Sequence, residues 1–469
     1  MILKSFANLL AFLAVSIQYV CARDFNVADF GADGKSETIA DAQIQKAIDE
    51  CSKSGGGEVR IGNGLYNCNC IRLKDGVMLN LDRNAVLKMT PIDGKKPTAL
   101  ILADKVKNAG IKGFGTLDGN GTLYERKDNF PGRPYVLFVK DSENFSVENV
   151  HMKNSATWTF RIFRSQYVFV RGIKIYAHTN WNNDGIDIEG KNVVVSDCII
   201  DCDDDAVCLK SDDDKFVVEN VSITNCIIAS NCNPIKFGTA SRAGFKNIAI
   251  SNCIIRAASE SNIRNWNSLS WMERYCVAKP ITGLAGIALE AVDGGFLENV
   301  TISNIVMTDI QTPIFIRAGH RNNDDKRSFI KNVVIRGITA TAQSQISSSI
   351  TGVEGGRVEN VSISDCVFNL LDGGPSSDGT EKVPEEVGSY PENRMFRTCL
   401  PSYGMYVRHA DNITLRNIQF LTSPGKPSRP SVVSDDVSGL RIIDCVYETP
   451  TFEIACQNVQ KSGNILLGK

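Results

Sequence analysis

The sequence predicts an all-β chain wound as a parallel β-helix solenoid, and three observations carry that reading. A short motif recurs along the chain: "FSVENVHM" (145–152), "VFVRGIKI" (168–175), "VVVSDCII" (193–200), "VSITNCII" (221–228), "IAISNCII" (248–255), and on to "LRIIDCVY" (440–447). The common spacing is 23 to 28 residues, with two gaps of 52. Inside each motif apolar residues alternate with polar ones, the period of a strand, and a pair rich in Asn, Asp or Gly supplies a tight turn. A further short strand precedes the motifs: "GIDIE" (185–189), "AVCLK" (206–210), "PIKFG" (234–238), "GIALE" (286–290), "PIFIR" (313–317) and "GMYVR" (404–408). One such coil cannot bury its own inner face, so successive coils must stack. A sandwich of hairpins explains neither the period nor the recurring cysteine.

The elements follow in chain order. Residues 1–22, "MILKSFANLLAFLAVSIQYVCA", pair a positive start with an apolar run and a small-residue ending, the pattern of a cleaved signal peptide. A lipoprotein anchored through Cys21 is the rival reading. No other stretch is long and apolar enough to span a membrane. The chain is therefore expected to be secreted or periplasmic. "TIADAQIQKAIDECSKSGGG" reads as a short amphipathic helix ending in glycines, placed to cap the open N-terminal edge of the solenoid. Residues 23–469 are expected to form one β-helix domain, because the repeats run on without a linker. Fifteen cysteines suggest a disulfide framework. Yet Cys198, Cys226, Cys253, Cys366 and Cys445 occupy one repeat position, where they act as small buried apolar groups. A pairing such as Cys68 with Cys51 stays open. Two long inserts, 258–282 and 370–404, would form loops at a cleft. Trp266 and Trp271 offer flat faces for sugar stacking there, or simply fasten their loop.

Charge excludes one class. With 51 basic and 53 acidic residues the net charge is −2, so no nucleic-acid partner is expected. A monomer is expected.

Stacking the third strand in register sends Ile186 and Ile188, Val207 and Leu209, Ile235 and Phe237, Ile287 and Leu289, and Ile314 and Ile316 inward. The other face then carries Asp187, Glu189, Cys208, Lys210, Lys236, Glu290, Phe315, Arg317, Tyr406 and Arg408, with Arg161 one coil earlier. Carboxylates, cations and rings on one face suit a sugar groove. Just before these strands, Asp184 and Asp205 fall on equivalent positions of consecutive coils, about 4.8 Å apart in strand spacing. Asp204 stands beside them. Corner ladders of hydrogen-bonded side chains account for Asn182 and Asn183. They account less well for three carboxylates, whose repulsion costs stability. Glycosidic hydrolysis has use for that repulsion. It needs one carboxylic acid to protonate the leaving oxygen and one carboxylate to activate water, and mutual repulsion raises one pKa.

The motifs resemble glycoside hydrolase family 28, the polygalacturonase and rhamnogalacturonase family of single-stranded right-handed β-helices. "NNDGIDI" (182–188) is similar to its Asn-Thr-Asp-Gly-Ile-Asp-Ile motif. "DDDAVCLKS" (203–211) is similar to Gly-Asp-Asp-Cys-Ile-Ala-Ile-Lys-Ser, with Asp203 where the family has Gly. The resemblance extends over most of residues 24–450. It implies Asp204 as general acid, Asp184 and Asp205 as holders and activators of water, inversion at the anomeric carbon, and no metal or other cofactor. Two departures stand out. The family's histidine position after the second motif is Asn233, and its Arg-Ile-Lys falls on "GIALE", placing Ala288 and Glu290 where the cations would be. Lys236, Arg317 and Arg408 are candidate replacements, with Asp187, Asn233 and Glu290 as further substrate contacts. The resemblance thus implies a pectic polysaccharide or oligosaccharide substrate, and the departures favour an exo-acting or rhamnogalacturonan- or side-chain-specific enzyme. The rivals are a Ca²⁺-dependent polysaccharide lyase, with Asp203–Asp205 or Asp212–Asp214 as ligands, and a non-catalytic β-helical adhesin or carbohydrate-binding protein.

Overall fold

The computed structural model describes residues 23–467, apart from 93–96, 128–130, 262–281, 372–376 and 424–426. Residues 1–22, expected as a signal peptide, and Trp266 and Trp271 lie outside the described residues. The fold is all-β, with one α-helix, Asp41–Lys53, among the described residues. All pairings between its strands are parallel and sort into three ladders.

The first ladder carries the site. It runs through Ala99–Asp104, Tyr135–Lys140, the start of Phe160–Arg171, the start of Ile186–Ser196, Val207–Ser211 and Ile235–Ser241. It continues through Gly283–Ala291, the end of Phe296–Ala318, Ser348–Thr351, the start of Met405–Ser423 and Val432–Ser438. The other two ladders are the halves of the recurring motif. In "VVVSDCII", Val193–Ser196 joins the second ladder and Ile199–Ile200 the third, with Asp197 at the corner in the left-handed region, φ 59°.

The inward residues read from the sequence pair as aligned. Ile186 meets Val207, Val207 meets Ile235, Ile235 meets Ile287 and Ile287 meets Ile314. All are fully buried. Each such side chain contributes roughly 1.5–3 kcal/mol by leaving water. One layer of this ladder escapes the sequence reading: Ser348–Thr351 sits between "PIFIR" and "GMYVR". Its "SSIT" has a single large apolar residue, Ile350, so alternation is invisible there.

The corner before the second ladder is held by asparagines. Asn220 donates to Asn192, Asn247 to Asn220, Asn299 to Asn247, Asn332 to Asn299 and Asn360 to Asn332, through Nδ2 to Oδ1 at 3.0–3.2 Å. All six have φ between 54° and 58°. Asn tolerates this left-handed geometry better than most residues, and its amide both donates and accepts, so the row satisfies itself.

The helix buries Ile44, Ala47, Ile48 and Cys51, a helical spacing, against the N-terminal strands. Its Asp41 carboxylate accepts from the Asn69 backbone at 2.9 Å. Cys51 and Cys68 are free thiols, and so are the five repeat cysteines. The five repeat cysteines are buried, as their position requires.

A second apolar cluster lies outside the ladders. Val383, Met395, Phe396 and Leu400, from the second long insert, pack on Ala285, Ala288, Phe315, Tyr406 and Val433 of the first ladder's outer face. This strap corrects the picture of an open polar groove running the length of the face.

Candidate active site

The outer face of the first ladder changes character along one row of paired residues: Arg161, Asp187, Cys208, Lys236, then Ala288 and Phe315. Charge gives way to apolar side chains where the strap lands. The carboxylates gather on the charged side.

Register places Asp184 beside Asp205, and Asp205 beside Asn233, on successive layers. The Gly185 amide donates to the Asp205 carbonyl at 2.9 Å, and the Ala206 amide to the Asn233 carbonyl at 3.0 Å. Asp184, Asp204 and Asp205 are each more than nine-tenths buried. Lys210, from the strand Val207–Ser211, lies 3.4 Å from Asp184 and 3.2 Å from Asp187, with its ammonium 4.6 Å over the Trp158 ring. Lys236 lies 3.0 Å from Asp205 and 4.0 Å from Glu290. Tyr390 of the strap brings its hydroxyl to 3.2 Å from Lys236 Nζ.

Environment divides the carboxylates. Burial first, then repulsion from Asp187 and Asp204, pushes Asp184 well above the usual carboxylate range, against the pull of Lys210. Asp205 is as buried, yet the attraction of Lys236 and Lys210 and the Asn233 amide overcome that and hold it at about 2. Burial raises Asp187 to about 6, with Lys210 and Arg161 opposing, and raises Glu290 to about 8, with Lys236 opposing. Burial and charge thus push the two stacked carboxyls in opposite directions. That asymmetry is what acid–base chemistry requires.

The remaining candidates separate into those at the cluster and those away from it. Asn233 faces Asp205, donating from its amide side chain at 2.9 Å, and accepts from the Ala285 amide at 3.2 Å. It therefore orients the carboxylate rather than facing a ligand. Glu290 is fully buried beside Lys236, and its Oε2 accepts from Thr239 at 3.4 Å. Arg317 and Arg408 stand apart. Arg317 donates to the carbonyls of Gly352, Glu385 and Glu386 at 2.8–3.1 Å. Arg408 donates to those of Val383 and Pro384 at 2.7 and 2.9 Å. Both arginines are buried and pin the strap, a correction to their reading as substrate contacts. Backbone carbonyls carry no sequence signature, so nothing in the chain announces such partners.

Asn183 accepts from the amides of Thr179 and Asn180 at 2.8 and 2.7 Å, and Asn182 accepts from Arg133 at 2.7 Å, so both serve the corner. Asp212 and Asp213 bind Arg161 and Arg164 at 2.6 and 2.8 Å, which commits them to ion pairs rather than a Ca²⁺ loop. Asp204, Asp205 and Cys232 bring ligand atoms within 4.8 Å of one another, the one such trio among the described residues that an ion could join. Two residues that the motifs did not flag also reach the cluster: Trp158, through Lys210, and His178, through Asp203.

Comparison with known proteins now adds to this geometry. Residues 51–266 match the family model described as glycosyl hydrolases family 28. A probable polygalacturonase of Vitis vinifera is 26% identical over 281 residues, covering 52% of this chain and 57% of the relative. A probable rhamnogalacturonase E of Aspergillus oryzae is 24% identical over 254 residues, covering 52% and 53%. The chain thus spans about half the length of the curated relatives it matches. Among solved structures, a polygalacturonase of Erwinia carotovora aligns with a TM-score of 0.55 at 19% identity, over 71% of this chain and 91% of its own. The Streptococcus pneumoniae surface protein and adhesin PfbA aligns with the same TM-score at 14% identity, over 94% and 100%. Shared fold therefore does not choose between a hydrolase and an adhesin; the carboxylates must.

Proposed function

We propose, from the match of residues 51–266 to the model of glycosyl hydrolases family 28, that the protein is a secreted or periplasmic glycoside hydrolase acting on galacturonosyl linkages of pectic polysaccharides or oligosaccharides. Its three ladders wind as a right-handed parallel β-helix, and the helix Asp41–Lys53 closes the N-terminal end. The observation that carries the reading is the split of Asp184 and Asp205, stacked on adjacent layers with one carboxyl pushed up and the other held at about 2. An adhesin has no use for such a split.

In this mechanism Asp204 protonates the leaving oxygen, the ionised Asp205 takes a proton from water, and Asp184 helps hold that water. Lys236 keeps Asp205 ionised as the base. The side chains of Asp204 and Asp205 approach within 4.8 Å, closer than the roughly 6.5–9.5 Å usual for an inverting pair. Inversion then requires the water to sit beside the pair, on the Asp184 side, rather than between acid and base. The closed strap end of the face favours exo action on chain ends, and the departures around Asn233 and Glu290 favour rhamnogalacturonan or side-chain substrates.

A panel of homogalacturonan, rhamnogalacturonan and xylogalacturonan oligosaccharides, with product sizing and proton NMR of the first product, tests the reading. We expect monomer or dimer release, an inverted anomer and loss of turnover in Asp204→Asn. A retained anomer overturns the inverting mechanism. A product with new ultraviolet absorbance points to a lyase. No cleavage of any substrate, with binding intact, overturns the enzyme.

A further inference from the structure

Asp203 is the residue that neither the motif nor the mechanism explains. It is buried, one residue before the candidate acid, at a position where a side chain of any kind is unexpected. Its backbone amide donates to the Ala177 carbonyl at 3.0 Å, which fixes it next to His178. His178 Nδ1 faces Asp203 Oδ1 at 4.0 Å, and both residues are more than nine-tenths buried. The other ring nitrogen, Nε2, meets Asp201 Oδ1 at 3.0 Å. Asp201 is itself anchored by Arg256 at 2.7 Å and by the Ser259 amide at 3.0 Å. The other described histidines lie elsewhere: His409 bridges Asp436 and Glu385 at the strap, His320 donates its amide to Val387, and His151 pairs with Lys174 on the third ladder.

We infer that His178 and Asp203 are a positioning pair for Asp204: a buried cation and anion that fix the 203–205 turn and set the charge felt by the candidate acid. The turn itself is held by backbone contacts. The Asp204 amide donates to the Asn183 carbonyl at 3.4 Å, while Cys202 Sγ and Ser230 Oγ donate to the Asp204 carbonyl at 3.2 and 2.5 Å. On the Asp203 side the turn faces His178 across 4.0 Å. Burial works against a charged imidazole there, but the hydrogen bond to Asp201 and the nearby Asp203 carboxyl group outweigh it and lift His178 to about 9. The groups facing the ring are Asp201 and Asp203 from the next layer, with Arg256 behind Asp201. From its own strand comes Tyr176, whose hydroxyl donates to Glu260 at 2.5 Å. Lys153 pairs with Tyr176 from the layer before and is itself bound to Asp118 at 3.5 Å. The ring thus lies between two carboxyl groups, Asp201 at 3.0 Å and Asp203 at 4.0 Å.

The two charges act on Asp204 with opposite sign, and this makes the inference testable. The imidazolium favours the ionised acid, so His178→Asn lets Asp204 hold its proton to higher pH. The Asp203 carboxylate disfavours ionisation, so Asp203→Asn releases that proton at lower pH. We expect the alkaline limb of the kcat profile on the cleaved pectic oligosaccharide to move up in His178→Asn and down in Asp203→Asn, each by about one pH unit. The double variant should return the limb towards its original place. Misplacement of the turn should also lower kcat in each single variant, up to about 100-fold, with KM changed far less. Asp203→Asn is isosteric and keeps the inference testable should His178→Asn misfold, as circular dichroism would show.

The inference rests on Asp204 as proton donor. If Asp204→Asn keeps full turnover, that assignment fails and takes this one with it. If Asp204→Asn is inactive but the limbs of folded His178 and Asp203 variants stay in place, or move the same way, the positioning pair alone is overturned.

Discussion

The outer face of one ladder holds two regions of opposite character, and the contrast shows what makes a site on this scaffold. From Arg161 to Lys236 the row is charged, and nearly every charge has a partner: Arg161 with Glu189, Lys210 with Asp184 and Asp187, Lys236 with Asp205. From Ala288 to Val433 the same row is apolar except for Ser349, and its apolar members lie under the strap. Both halves are deeply buried, but by different means. The strap removes water from the second half with Phe396, Met395 and Leu400. The first half is buried mainly by its own neighbours, with Tyr390 of the strap reaching it at Lys236, which leaves a concentration of charge in a low dielectric. That is where pKa values separate, and Asp184 and Asp205 do separate. Had the strap continued over the charged half, a ligand would have no access. Had the charges continued under the strap, its apolar side chains would find no cover.

The largest effect should come from the charged half. In Asp205→Asn the base is lost while shape is kept, and turnover on the best pectic substrate should fall by about 10³-fold, within the usual range for an acid or base. Thermal stability should fall as well, because the buried Lys236 ammonium loses the counter-charge that lies 3.0 Å from it. Reducing-sugar release and a melting curve on the same sample check both parts. A folded variant that keeps full turnover would mean that Asp205 is a structural element and not a reactive one.

The covered half should respond in the opposite way. Phe396→Ala removes a buried ring from the strap cluster and should cost about 3–5 kcal/mol of stability. Chemistry at the carboxylates should survive in the folded fraction, but products should become longer as the closed end of the face loosens. Chemical denaturation and product sizing check this. Unchanged product length with the expected destabilisation would detach the strap from exo action.

These contrasts also mark what the residues could tell before the fold was known. The inward register was legible because apolar alternation and the corner residues repeat: Ile186, Val207, Ile235 and Ile287 align without structural help. The stacking of Asp184 on Asp205 followed from that register. The strap was not legible, since residues 377–404 have no period to set them against the ladders. Arg317 and Arg408 were misread for that reason: they share a face with Lys236, but the strap's carbonyls reach them first. His178 was passed over because the corner geometry that brings it to Asp203 depends on the angle between two ladders, which no spacing encodes. The charged half is thus read from local repetition, and the covered half depends on a contact between segments far apart in sequence.

Glu290 sits on the boundary between the halves and gives the finest test. It is fully buried, paired in register with Arg317 of the covered half and 4.0 Å from Lys236 of the charged half. Burial lifts its pKa from 4.5 to about 8, despite Lys236. The sign of the linkage follows from that rise. Below about pH 4.5 the carboxyl is protonated in both the folded and the unfolded chain, and contributes no pH dependence. Between 4.5 and about 8 the unfolded chain has lost the proton and the folded chain keeps it, so stability falls as pH rises. Above about 8 both are ionised and the whole penalty stands. Glu290→Gln cannot ionise, so its stability relative to the parent should climb across this window by up to about 5 kcal/mol by pH 9. Urea unfolding at pH 5, 7 and 9 measures it. A difference that stays flat from pH 5 to 9 would mean that Lys236 holds Glu290 ionised throughout. The boundary would then belong to the charged half, and the apolar cover would begin one layer later, at Phe315.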